Sequence, residues 1–293
     1  MRTFRDAIRQ QDVVVTAELA LRPATTSSEV KAAARVLAPV VDAIQIGDDR
    51  AAVGHMSALS AASLVIECGV DAIVQFCCRD RNRIALIADL LGAAALGVTT
   101  LVLNRGEKFS ESAIVRSKGV FEVTAAQLID LAHKIGSENA LVAAPGFHIG
   151  SSITVFKPAE DWDAIRVSEK TESGVKFLQT QPCLNANLLR DYMQKLVERK
   201  LTHRASVMVE VPLLTSAKAV KSIKVDYKGA TIPEAVAKRI ASSNDPVTDG
   251  IAVCAEMMAE AVNIPGISGV NVRHDGDPET IVAAIRHSGL KQS

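Results

Sequence analysis

The segment Gln75 to Glu107, QFCCRDRNRIALIADLLGAAALGVTTLVLNRGE, constrains this chain most: it reads as strand, charged turn, long apolar helix and second strand. A strand, a crossover helix and a parallel strand form the repeating unit of α/β folds, and such folds gather their chemistry at the carboxyl ends of the strands. The triplet Arg105-Gly106-Glu107 stands at such an end.

The same alternation runs through the chain. Strands are predicted at Val13 to Leu19, Ala43 to Gly47, Ala72 to Cys78, Thr100 to Arg105, Ala140 to Ala144, Lys176 to Gln181, Ser206 to Val211 and Gly269 to Arg273. Helical patterns begin near Ser28, Ser57, Arg81, Thr124, Asp161, Ala186, Ser216 and Pro278. Eight such pairs in 293 residues, with no Gly-rich dinucleotide loop after the first strand, predict a (β/α)8 TIM barrel forming one catalytic domain over residues 1–293. Ile232 to Ser243 and Thr248 to Asn263 read as extra helices between strands 7 and 8. The polar stretch Lys108 to Glu122 is the expected mobile lid.

Composition narrows the partners. Lys plus Arg and Asp plus Glu are 33 each, so no net field attracts nucleic acid or an anionic membrane. The five cysteines show no metal-ligand spacing, and no apolar run reaches bilayer length, which together predict a cytoplasmic protein with reduced thiols and no metal site. A small-molecule ligand is expected, with a homo-oligomer left open.

The strand ends carry Glu18; Asp48, Asp49 and Arg50; Gln75, Cys77 and Cys78; Arg105 to Glu107; His148; Gln179 and Gln181; Glu210; and Arg273, His274 and Asp277. Glu18 interrupts an apolar strand, VVVTAELALRP, where partial burial would suit it to act as an acid, although an exposed carboxylate in a salt bridge gives the same pattern. Glu107 is a second carboxylate for tuning charge, or one half of a local ion pair. The Gln181 amide can pair with the edge of a heterocycle or satisfy the core. Cys77 and Cys78 read as small buried hydrophobes, and the Arg79 to Arg83 cluster as a solvated helix start more than a phosphate site.

Together these residues resemble the methylenetetrahydrofolate reductase family. The resemblance rests on TAEL at Glu18, CRDRNRIALIADLLGAAALGV, RGE, GVKFLQTQP, PLLTSAKAV and DPVTDGIAVCAEMM, and runs from about Val13 to the last helix. It implies interconversion of 5,10-methylenetetrahydrofolate and 5-methyltetrahydrofolate, with FAD, loosely held, as hydride relay and NADH or NADPH as donor. It further implies Glu18 as the general acid, Glu107 beside flavin and pterin, and Gln181 on the folate. Gln75, Arg105, Gly106, Asp163, Arg166 and Lys170 would then lie along the cofactor. Gln75, Glu107, Arg166 and Ser222 depart from the family's usual histidine, aspartate, asparagine and nearby aromatic. Those departures keep two alternatives in view: flavin-independent reduction by NADH, and a catalytically reduced folate- or flavin-binding subunit of a methyl-transfer system. An unrelated lyase or aldolase using Lys170 or Lys176 is a third reading.

Overall fold

The computed structural model describes residues 2–48, 54–108, 117–135, 146–274 and 276–291. Strands β1 (Val14–Leu19), β2 (Ala43–Ile46), β3 (Ala72–Cys77), β4 (Thr100–Asn104), β5 (His148–Ile153), β6 (Phe177–Thr180), β7 (Ser206–Pro212) and β8 (Ile267–Arg273) close into a parallel barrel in sequence order. Closure is set by register: Glu18 pairs with Gln45 on one side and with Arg273 on the other. The helices α1 (Phe4–Gln10), α2 (Ser27–Leu37), α3 (Ala58–Glu67), α4 (Arg83–Ala95), α5 (Ala125–Ile135), α6 (Ile165–Glu172), α7 (Ala186–Glu198), α8 (Ala217–Asp226), α9 (Glu234–Ala241), α10 (Pro246–Ala261) and α11 (Pro278–His287) complete the order. As predicted, the connection between β7 and β8 holds additional helices, with the Asp245 side chain capping α10 ahead of Pro246.

Strand alternation explains the two apolar layers. Residues facing outward pack with the helices in the main core, whereas Val14, Ala43, Ile73, Val102, Phe177 and Met208 face inward at the amino end of the barrel. Phe4 and Ala7 of α1 join that inner cluster and plug it. This helix was not anticipated: it has only 7 residues, but a capping box between Thr3 and Asp6 starts it, and the Phe4 N–H donates to Asp71 Oδ2 at 2.6 Å. Beside it Asp42, buried at the start of β2, accepts from Arg2, Gln11, Lys291 and the Val15 amide, so both ends of the chain are tied under the barrel.

Higher in the barrel the inward positions are polar: Thr16, Gln45, Gln179, Glu210 and Asn271 are all buried. Barrels usually fill these layers with branched apolar side chains. Polar packing there costs desolvation, which marks the carboxyl end of this barrel as the place where the fold trades stability for chemistry.

The fifth strand needs correction. Residues 140–144 lie outside the described residues, and the barrel is closed by His148–Ile153 instead. Gly150 hides this strand in the sequence, but the structure requires it, because a β-carbon there would fall on the Phe177 ring. His148 consequently begins β5 and sits at the plugged end against Phe4 and Phe177, far from the strand ends where it was expected. Burial, and then Arg5, Arg9 and Lys176, push its pKa down to about 4. Of the expected lid, residues 109–116 lie outside the described residues, as do Asp49 and Arg50.

Candidate functional site

Glu18 ends the inward row of β1 and is buried. Its Oε1 lies over Gly47, where a β-carbon would come within 2.8 Å. Gln45 Nε2 donates to Glu18 Oε2 at 3.5 Å, and the guanidinium of Arg273 donates to the same oxygen in an ion pair. Arg273 also donates through Nε to Glu210 Oε1 at 2.8 Å, and Gln179 Nε2 donates to Glu210 Oε2 at 2.9 Å. Five strands, β2, β1, β8, β7 and β6, thus contribute to one buried chain of polar side chains across the mouth. The Arg273 guanidinium stacks on Tyr227 at 4.8 Å from the ring centroid.

Tyr227 belongs to the turn after α8, which folds back over the mouth. Gly229 in the same turn packs so closely that a β-carbon would lie 3.0 Å from Gln181 Cγ and 2.8 Å from Thr154 Cγ2. Nothing in the sequence around Tyr227 singles it out. Glu210 was visible as a strand-end residue, but its link to Glu18 runs through an arginine 255 positions away from that acid.

A cavity of about 220 Å³ brings together Gln75, Arg105, Gly106, Glu107 and Gln181, with Asp48, Asn104 and Ser152 in its wall. Five residues predicted from the sequence therefore meet at the ends of β3, β4 and β6. Glu107 and Arg105 are exposed, and Arg105 stacks on Phe121 at 4.6 Å from its centroid. Gly106 adopts a left-handed φ of 82°, and a β-carbon there would press on Cys77 and Arg79. Glu18 lines a different cavity, of about 480 Å³, between the β1 end, α2 and the start of α11. Arg273 lines a third, of about 530 Å³, between the β7 end and α8.

Asp163, Arg166 and Lys170 meet in a cavity of about 580 Å³ walled by Phe156, Trp162 and Tyr192, which shares Ser152 with the cavity at Glu107. The Asp163 carboxylate accepts from the Ile165 amide at 3.1 Å and starts α6. Lys170 Nζ donates to Ser151 Oγ at 3.2 Å and to the Ser152 carbonyl, and burial lowers its pKa. Its ammonium therefore ties α6 to β5. An extended cofactor with an aromatic ring system and phosphates fits this set: aromatic walls, the Arg105 and Arg166 cations, and Ser152 common to both cavities.

The cluster after β3 is solvated only in part: Asp80, Asn82 and Arg83 at the start of α4 are exposed, whereas the other two arginines are held by carboxylates. Arg79 is buried against Asp80, and Arg81 bridges Asp48 and Asp89. Asp48 also accepts from the Cys77 amide at 2.9 Å, while Asn82 caps α4. The network shapes the turn. Ligand atoms of Asp48, Cys77 and Asp80 lie within 4.8 Å of one another, with both carboxylates paired to arginine. Burial raises the Cys77 thiol, and the Cys78 thiol is pushed up to about 11, so both stay neutral, in keeping with their expected packing role. Among the described residues no helix is long and apolar enough to cross a membrane.

Comparison with known proteins agrees with the barrel fold. A protein from Clostridium thermocellum, described as binding two copies of 5-methyl-5,6,7,8-tetrahydrofolic acid, superposes with a TM-score of 0.70 at 13% identity over 97% of each chain. The tetrahydromethanopterin reductase of Methanopyrus kandleri superposes with a TM-score of 0.58 at 12% identity, over 96% of this chain and 98% of its own. DmoA from Hyphomicrobium sulfonivorans does so with a TM-score of 0.55 at 9% identity, over 94% of this chain and 87% of its own. At these identities the likeness is one of fold. No curated protein matches the sequence. The methylenetetrahydrofolate reductase family, however, matches residues 3–274, nearly the whole chain, and the protein belongs to that family.

Proposed function

We propose that this protein is a methylenetetrahydrofolate reductase, interconverting 5,10-methylenetetrahydrofolate and 5-methyltetrahydrofolate. The observation that carries the reading is the placement of a buried carboxylate, Glu18, at the top of β1 in the mouth of a barrel of this family. In the reductive direction, methylenetetrahydrofolate, a hydride and a proton give methyltetrahydrofolate. Each of these needs a place.

Glu18 supplies the proton. Its carboxylic acid protonates the bridging amine nitrogen distal to the pterin, the carbon–nitrogen bond breaks, and its electron pair stays on that nitrogen. The methylene carbon becomes an iminium, to which the hydride adds. The Glu107 carboxylate favours the cationic iminium electrostatically, and the Gln181 amide hydrogen-bonds the pterin edge. Both face the same cavity, which suits contact between one ligand and both groups.

FAD supplies hydride transfer when bound, taking its electrons from NADH or NADPH. Gln75, Arg105 and Gly106 would hold it at the mouth, with Asp163, Arg166 and Lys170 on the wall of the adjoining cavity. A second reading, direct reduction by NADH, is motivated by Gln75 and Arg166, which stand where the family usually has a histidine and an asparagine along the flavin. The protein acts as a soluble catalyst in the cytoplasm in either case.

Purified protein tests both. Absorbance in the flavin region, bleached by NADH and restored by methylenetetrahydrofolate, supports the flavin route, while NADH oxidation by a colourless protein supports the direct one. A protein inert towards folates in both assays refutes the reductase reading and favours a binding subunit.

A further inference from the structure

We infer that Arg273 is a positioning residue: it keeps Glu18 ionised while the mouth is empty and passes wholly to Glu210 when a ligand enters, so that binding and protonation of Glu18 are one linked event. The identity of that ligand rests on the folate reading; the hold of Arg273 on Glu18 does not.

The geometry points to this because one guanidinium serves two buried carboxylates. Arg273 bonds Glu18 through Nη2 and Glu210 through Nε, from the strand that lies between theirs. A carboxylate against a guanidinium is stabilised in its charged form, and one left beside a second carboxylate gains proton affinity. An acid that must deliver a proton is therefore held in the wrong protonation state until the arginine withdraws.

The structure supplies both the receiver and the trigger. Glu210 is anchored by Gln179 at 2.9 Å, and its own amide donates to Thr180 Oγ1 at 3.0 Å, so it can retain the guanidinium. Arg273 borders a cavity of about 530 Å³, which gives it room to move. Its other face lies on Tyr227, in the turn that also packs Gly229 against Gln181. A ligand seated on Gln181 meets that turn and reaches the arginine through it.

Other groups also surround Glu18. From β2 it faces Gln45 and Gly47; from β8, Arg273 and His274; and Glu210 of β7 is reached through the guanidinium. Arg22, Glu29 and Asp277 share the cavity that Glu18 lines, one cation against two carboxylates. During the cycle the proton comes from solvent on ligand binding, moves from Glu18 to the amine nitrogen in the reductive step, and the resulting carboxylate recaptures Arg273 when product leaves.

The first test needs no ligand. Infrared difference spectra between each background and its Glu18→Gln derivative isolate the Glu18 carboxyl band. The inference expects an ionised band in the otherwise unaltered protein at neutral pH, and in Arg273→Met a midpoint of ionisation about 1–3 pH units higher, with Arg273→Lys restoring the ionised band. Arg273→Gln replaces the methionine variant if that one fails to fold. An unchanged midpoint overturns the inference.

The second test is calorimetry of 5,10-methylenetetrahydrofolate binding, without a hydride donor, in buffers of different ionisation heat. It should show uptake of about one proton in the unaltered protein, less in Arg273→Met and about none in Glu18→Gln. Binding without proton uptake overturns the inference and spares the folate reading. No binding at all refutes the folate reading, while the infrared test still decides the hold of Arg273.

Discussion

Glu18 Oε1 rests over Gly47 so closely that the smallest added side chain would come within 2.8 Å of it. The acid at the end of β1 is therefore aimed by the neighbouring strand as well as by Arg273. Gly47 follows β2 directly, and its neighbour Ile46 pairs with Leu19.

Gly47→Ala should displace the Glu18 carboxyl without unfolding the barrel. The expected result is a fall in kcat on the order of tenfold to a hundredfold, as for a catalytic group moved by about an ångström, with little change in thermal midpoint. A steady-state assay paired with a melting curve checks it; unchanged kcat would show that the contact does not aim the acid.

A carboxylate inside an apolar run is visible in one strand, and so were Glu107 and Gln181 as strand-end residues. The bridge from Glu18 through Arg273 to Glu210 was not, because it joins the first strand to the last and exists only once the barrel closes. Strands such as β2, β3 and β7 could be placed because β-branched runs with turn signals bound them. β5 could not: its sequence, HIGSSI, needs Gly150 for the Phe177 ring, while the more apolar residues 140–144 drew the prediction away. The polar inner layer was legible as polar positions in strands, but its sharing of hydrogen bonds was not.

At the other end of the barrel, His148 makes stability depend on pH. Its folded pKa is about 4, below the ordinary 6.5, so the unfolded chain takes the proton first. The stabilisation is complete above the ordinary value and is lost as pH falls towards 4, by about 3 kcal/mol in all. Burial raises Asp71, which acts in the opposite sense: its folded state takes the proton first and gains stability as pH falls. Thermal midpoints of the unaltered protein and of His148→Leu across this window should show a flatter profile in the variant. Parallel profiles would contradict the assignment.

Asp42 predicts a purely structural effect. Asp42→Ala removes the acceptor of the buried Val15 amide, 2.9 Å away, together with contacts to Arg2 and Lys291. The loss should be roughly 1–3 kcal/mol, mostly from the orphaned amide, since partly exposed ion pairs add little. Chemical denaturation measures it. Folate turnover below the unfolding transition should be unchanged, and a selective loss of turnover would mean that the plugged end communicates with the mouth.

Burial of two adjacent thiols at the end of β3 gives a further expectation. Cys77 and Cys78 are held neutral by burial, so alkylating reagents should label them slowly in the folded protein at neutral pH. Peptide mapping after timed exposure reads this directly. Rapid labelling of either residue, with loss of activity, would place a reactive thiolate where the structure has a packed thiol.

Replacing Glu18 tests the proposed proton donor. The most direct measurement is single-turnover reduction of 5,10-methylenetetrahydrofolate by Glu18→Gln, with 5-methyltetrahydrofolate binding measured in parallel. Binding should persist while the chemical step slows by about a hundredfold to ten-thousandfold. Reduction at a rate close to that of the unaltered protein would contradict Glu18 as the donor.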